Sequence, residues 1–222
     1  MNQLTLLIKK EIKQEFRSRE TVISMSVFGV VVILLFAFAF NAAPAEFQKF
    51  LPGLIWMTYL FVAVLGLQRS FAAEKELDAY AALLSAPIDR GLVYLGKLTA
   101  FVLFMAVAQA VTLPLFGLFL NLSLSTGLGM HLVLCLLTDW AMGACGVLIS
   151  GMGLRIRMGE VLIPILLFPL LVPVLIGATK ASAALLSGAP FSQIQMWFMI
   201  IATFAVLFTV TGLFAFGAIS EE

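Results

Sequence analysis

Charge is what this sequence has least of: Asp, Glu, Lys and Arg make up 11% of its 222 residues, while 62% are hydrophobic. A soluble domain is about half apolar and a quarter charged, so most of this chain has no aqueous surface to sit under. Its solvent is lipid. The net charge of +1 excludes nucleic-acid binding driven by bulk electrostatics. Histidine occurs once, as His131 at the outer end of an apolar run, without the Cys/His cluster a metal site needs. The two cysteines, Cys135 and Cys145, lie ten residues apart in that run. On a helix that is about 15 Å of rise, too far for a disulfide, and they read as small buried hydrophobes. Catalytic sets are missing too: there is no Ser/His/Asp arrangement, no H-E-x-x-H and no carboxylate pair within one apolar run. A metal, a bound cofactor and chemistry of the chain's own are therefore not expected.

What is present is length of apolar run. A helix needs about 20 apolar residues to cross the hydrocarbon core. Six stretches qualify, at about 21–40, 51–67, 98–120, 129–150, 161–178 and 196–219. Lys9, Lys10, Lys13, Arg17, Arg19, Arg69, Lys75, Arg90, Lys97, Arg155 and Arg157 fall on one side of them, against only Lys49 and Lys180 on the other. By the positive-inside rule the rich side is cytoplasmic, and an even number of spans puts both termini there. Ala43-Pro44-Ala45 resembles a signal-peptidase site, but the run before it exceeds the 7–15 residues of a signal core, so the first span is expected to be retained. No internal repeat is visible. The expectation is an all-α integral membrane protein with residues 1–222 forming one domain.

Two segments outside the spans carry pattern. In residues 1–20, Leu4, Ile8, Ile12 and Phe16 recur every fourth position, with Lys9, Lys10, Lys13 and Arg17 largely opposite; this is the pattern of a helix lying in the membrane interface. Glu11 and Glu15 break it, falling beside the apolar stripe. The cytoplasmic loop 69–97 contains Leu77, Tyr80, Ala81 and Leu84 at i, i+3, i+4, i+7, with Glu74 and Glu76 placed for a first helical turn and Pro87 for a stop. Its apolar stripe would be buried by a partner or by the lipid interface. Gly91 to Lys97 matches G-x-x-x-x-G-K, the opening of a phosphate-binding loop. The next residue, however, is Leu98, where Ser or Thr must hold magnesium, and the segment leads into a span. If ATP drives this protein, another chain binds it.

Inside the spans, Asp139 is the exception. A carboxyl there is costly and marks either a functional site or a neutralised, paired group. Gln109 in the third span is a plausible partner. Pro164, Pro169 and Pro173 in the fifth span suit either a hinge or an irregular buried helix. No G-x-x-x-G dimer motif is present.

Several segments together resemble the cytochrome c maturation protein B family, the permease subunit of the bacterial haem exporter ABC complex. They are Leu51-Pro52-Gly53 with Trp56; Gln68-Arg69 with Phe71, Glu74 and Glu76; Leu83-Leu84 with Pro87, Asp89 and Arg90; Gly96-Lys97; Leu113-Pro114-Leu115; and Leu166-Leu167 with Pro169, Leu170, Pro173 and Ile176. Their order and spacing cover nearly the whole chain. Many members carry Gly and a Leu-Glu pair where this chain has Asp78 and Tyr80-Ala81.

The resemblance implies an ABC-2-type permease of the bacterial inner membrane, with residues 1–20 as an interfacial elbow. Glu74, Glu76, Leu77, Tyr80, Leu84, Pro87, Asp89 and Arg90 would form the coupling surface for a separate ATPase that holds ATP and magnesium. Further implied partners are a second copy of the chain, a haem-handling membrane subunit and a small single-span subunit. Haem would be cargo of the complex, or ATP would drive release of a haem-loaded chaperone. Competing functions are export of another substrate, such as a drug or lipid, and a non-transporting assembly scaffold.

Overall fold

A computed structural model describes residues 3–40, 49–76, 89–120, 127–153 and 159–221. These form seven helices and no strand: α1 Gln3–Ser18, α2 Glu20–Ala39, α3 Leu51–Glu76, α4 Arg90–Leu120, α5 Leu128–Gly153, α6 Gly159–Leu186 and α7 Phe191–Glu221. The six from α2 to α7 are long and apolar enough to cross a membrane. The chain is a multi-pass membrane protein.

Helix α5 is the axis of the bundle and packs against α3, α4, α6 and α7. Within the most apolar window of each helix, 72% of α5 is buried, against 17% in α2 and in α7; the last two present wide apolar faces to lipid. Sequence explains the central place. Ala141, Gly143, Ala144, Cys145 and Gly146 are all buried, and small side chains let neighbouring helices approach closely where lipid offers no hydrophobic drive to associate. A methyl at Gly143 would meet Phe101 Cδ1 at 2.6 Å, and one at Gly151 would meet Phe216 Cε2 at 2.6 Å.

Polar side chains join the helices at intervals. Trp56 Nε1 of α3 donates to Ser182 Oγ of α6 at 2.8 Å, and Trp140 Nε1 of α5 donates to Thr209 Oγ1 of α7 at 3.0 Å. Thr112 Oγ1 of α4 lies 3.4 Å from the Tyr59 hydroxyl of α3.

Helix α1 breaks from α2 at Arg19, which sits in the left-handed region (φ 57°), uncommon for a residue with a side chain. Its backbone N–H still donates to the Glu15 carbonyl at 2.6 Å, and Glu15 Oε1 accepts from the Val22 N–H at 2.8 Å, satisfying an orphan donor of the next helix. Glu15, a flaw in the amphipathic pattern, ties the two helices together at the corner.

The helices outrun the apolar stretches. Helix α3 continues through 69–76 and α4 begins at Arg90, so both ends of the expected loop 69–97 are helical. Hydropathy marks only the part that crosses lipid, whereas the helix runs on until something stops it, and neither Gly nor Pro occurs in 69–76. Glu74 and Glu76 thus belong to the last turn of α3, not the first turn of a separate helix. Leu77, Tyr80, Leu84 and Pro87 lie outside the described residues. Pro164, Pro169 and Pro173 all fall within the single helix α6.

Candidate functional site at the head of α4

The first turns of α4 are the segment Gly91-Leu-Val-Tyr-Leu-Gly-Lys97. In the structure it is helical, not a phosphate loop, and its characteristic residues serve as joints. Asp89 caps the helix: its Oδ1 accepts from the Gly91 N–H at 2.8 Å, supplying the bond the first turn lacks. Gly91 lets the backbone of α7 come close, since a methyl there would lie 3.1 Å from the Leu213 carbonyl oxygen. Tyr94, fully buried, places its hydroxyl 2.9 Å from the Ala144 carbonyl of α5 and 3.0 Å from the Phe208 carbonyl of α7. Gly96 accepts the side chain of Leu7 from α1, whose Cβ would be 3.0 Å from a methyl at that position.

Lys97 completes the junction. Its side chain is 2% exposed, and its Nζ lies 3.6 Å from Glu11 Oε1 of α1 and 4.7 Å from the centre of the Phe71 ring of α3. Burying an ammonium is costly unless it is paired; here a carboxylate and an aromatic face, which attracts cations through its quadrupole, share the task. Lys10 Nζ approaches the same Glu11 oxygen at 3.2 Å. The second flaw in the amphipathic pattern is thereby explained. Among the described side chains of α1, Leu7 and Glu11 are the buried ones, while Leu4, Ile8 and Ile12 are half-buried. The helix rests on α4 along a line containing both an apolar and an ionic contact.

Of the coupling residues expected from sequence, the structure describes the side chains of Asp89 and Arg90 only, and it places them at the start of this junction. Sequence reasoning missed Glu11, Phe71, Tyr94 and Lys97 as a set. The signal was present: a carboxylate inside an apolar stripe and a lysine at the mouth of a span each need a partner.

The intramembrane polar pair is separate. Gln109 Nε2 of α4 donates to Asp139 Oδ1 of α5 at 2.9 Å, both residues being buried. An Asn at 139 keeps the acceptor, so Asp139→Asn should leave stability nearly unchanged. Asp139→Leu orphans the amide and should cost about 1–2 kcal/mol, the upper range for polar pairs between membrane helices. Thermal unfolding in detergent measures both, and equal losses would show that Gln109 does not depend on this bond.

Comparison with known proteins follows the same outline. A family described as "CcmB protein" matches residues 2–221. The chain belongs to the CcmB family. It is 28% identical to Heme exporter protein B of Pseudomonas aeruginosa over 208 residues, covering 94% of this chain and 93% of that protein. With Heme exporter protein B of Bradyrhizobium diazoefficiens the identity is 27% over 86% of this chain and 88% of the relative. For that of Haemophilus influenzae it is 26% over 83% of each. This CcmB chain therefore spans nearly the full length of its relatives, and the α4 junction lies within the matched region.

Proposed function

We propose that the chain is the membrane permease subunit of an ABC-type haem-export complex serving cytochrome c maturation. In this reading it has no ATP site of its own and receives the stroke of a separate ATPase through residues 74–90. The observation that carries the reading is the junction at the head of α4. The segment between α3 and α4 is flanked on one side by Phe71 and on the other by Lys97, whose ammonium lies against both the Phe71 ring and Glu11 of α1. A push on that segment reaches α1 through Lys97 and reaches α5 and α7 through Tyr94. Packed side chains joined by ionic and hydrogen-bonded contacts are the kind of network through which coupling is carried between sites.

The same reading puts the head of α4 and both termini on the cytoplasmic side of the bacterial inner membrane, and the basic-residue asymmetry supports that orientation. It assigns a second copy of the chain, a haem-handling subunit and a small single-span subunit to the complex. Haem is the cargo, or the ATPase stroke releases a haem-loaded chaperone. The names of the matched relatives support haem export.

The test is affinity purification of the tagged protein in mild detergent, with mass spectrometry of what co-purifies. An ABC ATPase together with a haem-handling membrane subunit is the expected result. An ATPase without any haem partner would redirect the assignment to export of another substrate, and no ATPase at all would overturn it. Charged residues at Leu77 and Tyr80 should abolish ATPase recovery; retention would show that coupling does not pass through this segment.

A further inference from the structure

One face of α5 is polar for half its length. His131, Cys135, Thr138 and Asp139 are spaced i, i+4, i+7 and i+8, which aligns them on one side of a helix, and all four are buried, none more than 5% exposed. Gln109 of α4 meets Asp139, and α3 packs on α5 as well. Along this stripe, the Thr138 hydroxyl and Asp139 Oδ2 have no hydrogen-bond partner among the described residues. Polar atoms buried in proteins are nearly always bonded, and in lipid the alternative is costly. Two such atoms on adjacent residues, beside the Gln109–Asp139 bond, mark this stretch of α5 as poorly satisfied when closed.

The stretch that follows is different. From Ala141 to Gly146 no residue carries a hydroxyl, carboxyl, amide or imidazole, and all are buried. Gly146 receives Leu67, and Gly143 receives Phe101 and Leu98. This stretch is interlocked. His131 lies in the first turn of α5, at the end nearer the surface, while Asp139 is about 12 Å further along the helix.

We infer that the seam between α5 and the α3–α4 pair opens to water from the His131 end, with the interlocked stretch from Ala141 to Gly146 as its closed floor. The ligand of the opened seam is water, which satisfies the Thr138 and Asp139 atoms left without partners when the seam is shut. The inference is independent of which substrate the complex handles.

The two cysteines report on it, since Cys135 lies in the polar half and Cys145 in the interlocked half, and both are free and buried. In membranes carrying the full-length protein, Cys145→Ala leaves Cys135 as the only thiol, and Cys135→Ala leaves Cys145. A small hydrophilic methanethiosulfonate reagent should modify Cys135 about tenfold or more faster than Cys145, as expected where local opening differs between segments. Thr138→Val replaces an unpartnered hydroxyl with a methyl of the same shape. It should stabilise the closed seam, raising the thermal midpoint and slowing Cys135 modification together. Equal rates for the two cysteines would overturn the inference. So would a Thr138→Val protein that is folded and labels at the parental rate.

Discussion

Replacing Glu11 with leucine should destabilise the protein by about 3–5 kcal/mol, the usual cost of removing one partner of a buried ion pair. Lys97, whose side chain is 2% exposed, then loses the carboxylate 3.6 Å from its ammonium and keeps the face of Phe71 among its neighbours. The reverse change should cost less. In Lys97→Met, Glu11 keeps Lys10 at 3.2 Å and retains slightly more solvent. The double variant Glu11→Leu/Lys97→Met should recover most of the loss, because two apolar groups can replace a buried pair at little cost. Thermal or denaturant unfolding of all four proteins in one detergent gives the cycle, and additive single effects would mean that the two side chains do not interact. The double variant also separates stability from coupling. If the proposed ATP-driven stroke reaches α1 through this pair, the double variant should be folded yet fail to couple it.

A side chain at position 212 is the second large effect. Gly212 of α7 faces the ring of Tyr94, and a methyl at 212 would overlap the ring carbons and lie 2.5 Å from the hydroxyl oxygen. Tyr94 cannot retreat without releasing the carbonyls of Ala144 and Phe208. Gly212→Ala should therefore lose about 1–3 kcal/mol, the range for overpacking a filled core. Tyr94→Phe, which removes only the hydroxyl, should lose about 1 kcal/mol. Combining Gly212→Ala with Tyr94→Leu should return part of the loss, because the smaller side chain makes room for the methyl. A combined variant no more stable than Gly212→Ala alone would mean that the clash is relieved elsewhere, by movement of α7 itself.

Both predictions concern one short segment, and that segment shows where sequence reading stopped. Gly91, Gly96 and Lys97 stood out as part of a nucleotide-binding pattern and were set aside when Leu98 failed to fit it. Rejecting the motif was sound, since the segment is helical, yet the residues still required a reason to be there. The reason is long-range: each meets a partner from another helix, Leu213, Leu7 or Glu11. Lys97 and Glu11 are 86 positions apart, and no local period connects them.

What the sequence determined by itself is everything that depends on the solvent. Six apolar runs among sparse charges require six helices in lipid, because only a helix satisfies its own backbone there, and the i, i+4 apolar spacing of the first segment gives helix α1. Those are one-dimensional signals, carried by composition and by the 3.6-residue period. Only the tertiary structure decided that the small-residue helix α5 lies at the centre, that Gln109 reaches Asp139, and that α1 is fastened to α4 through a buried ion pair. In lipid every helix is apolar on most of its surface, so hydropathy does not reveal which face is inward. That choice is made by close approach at glycines and by polar groups finding one another across the bundle.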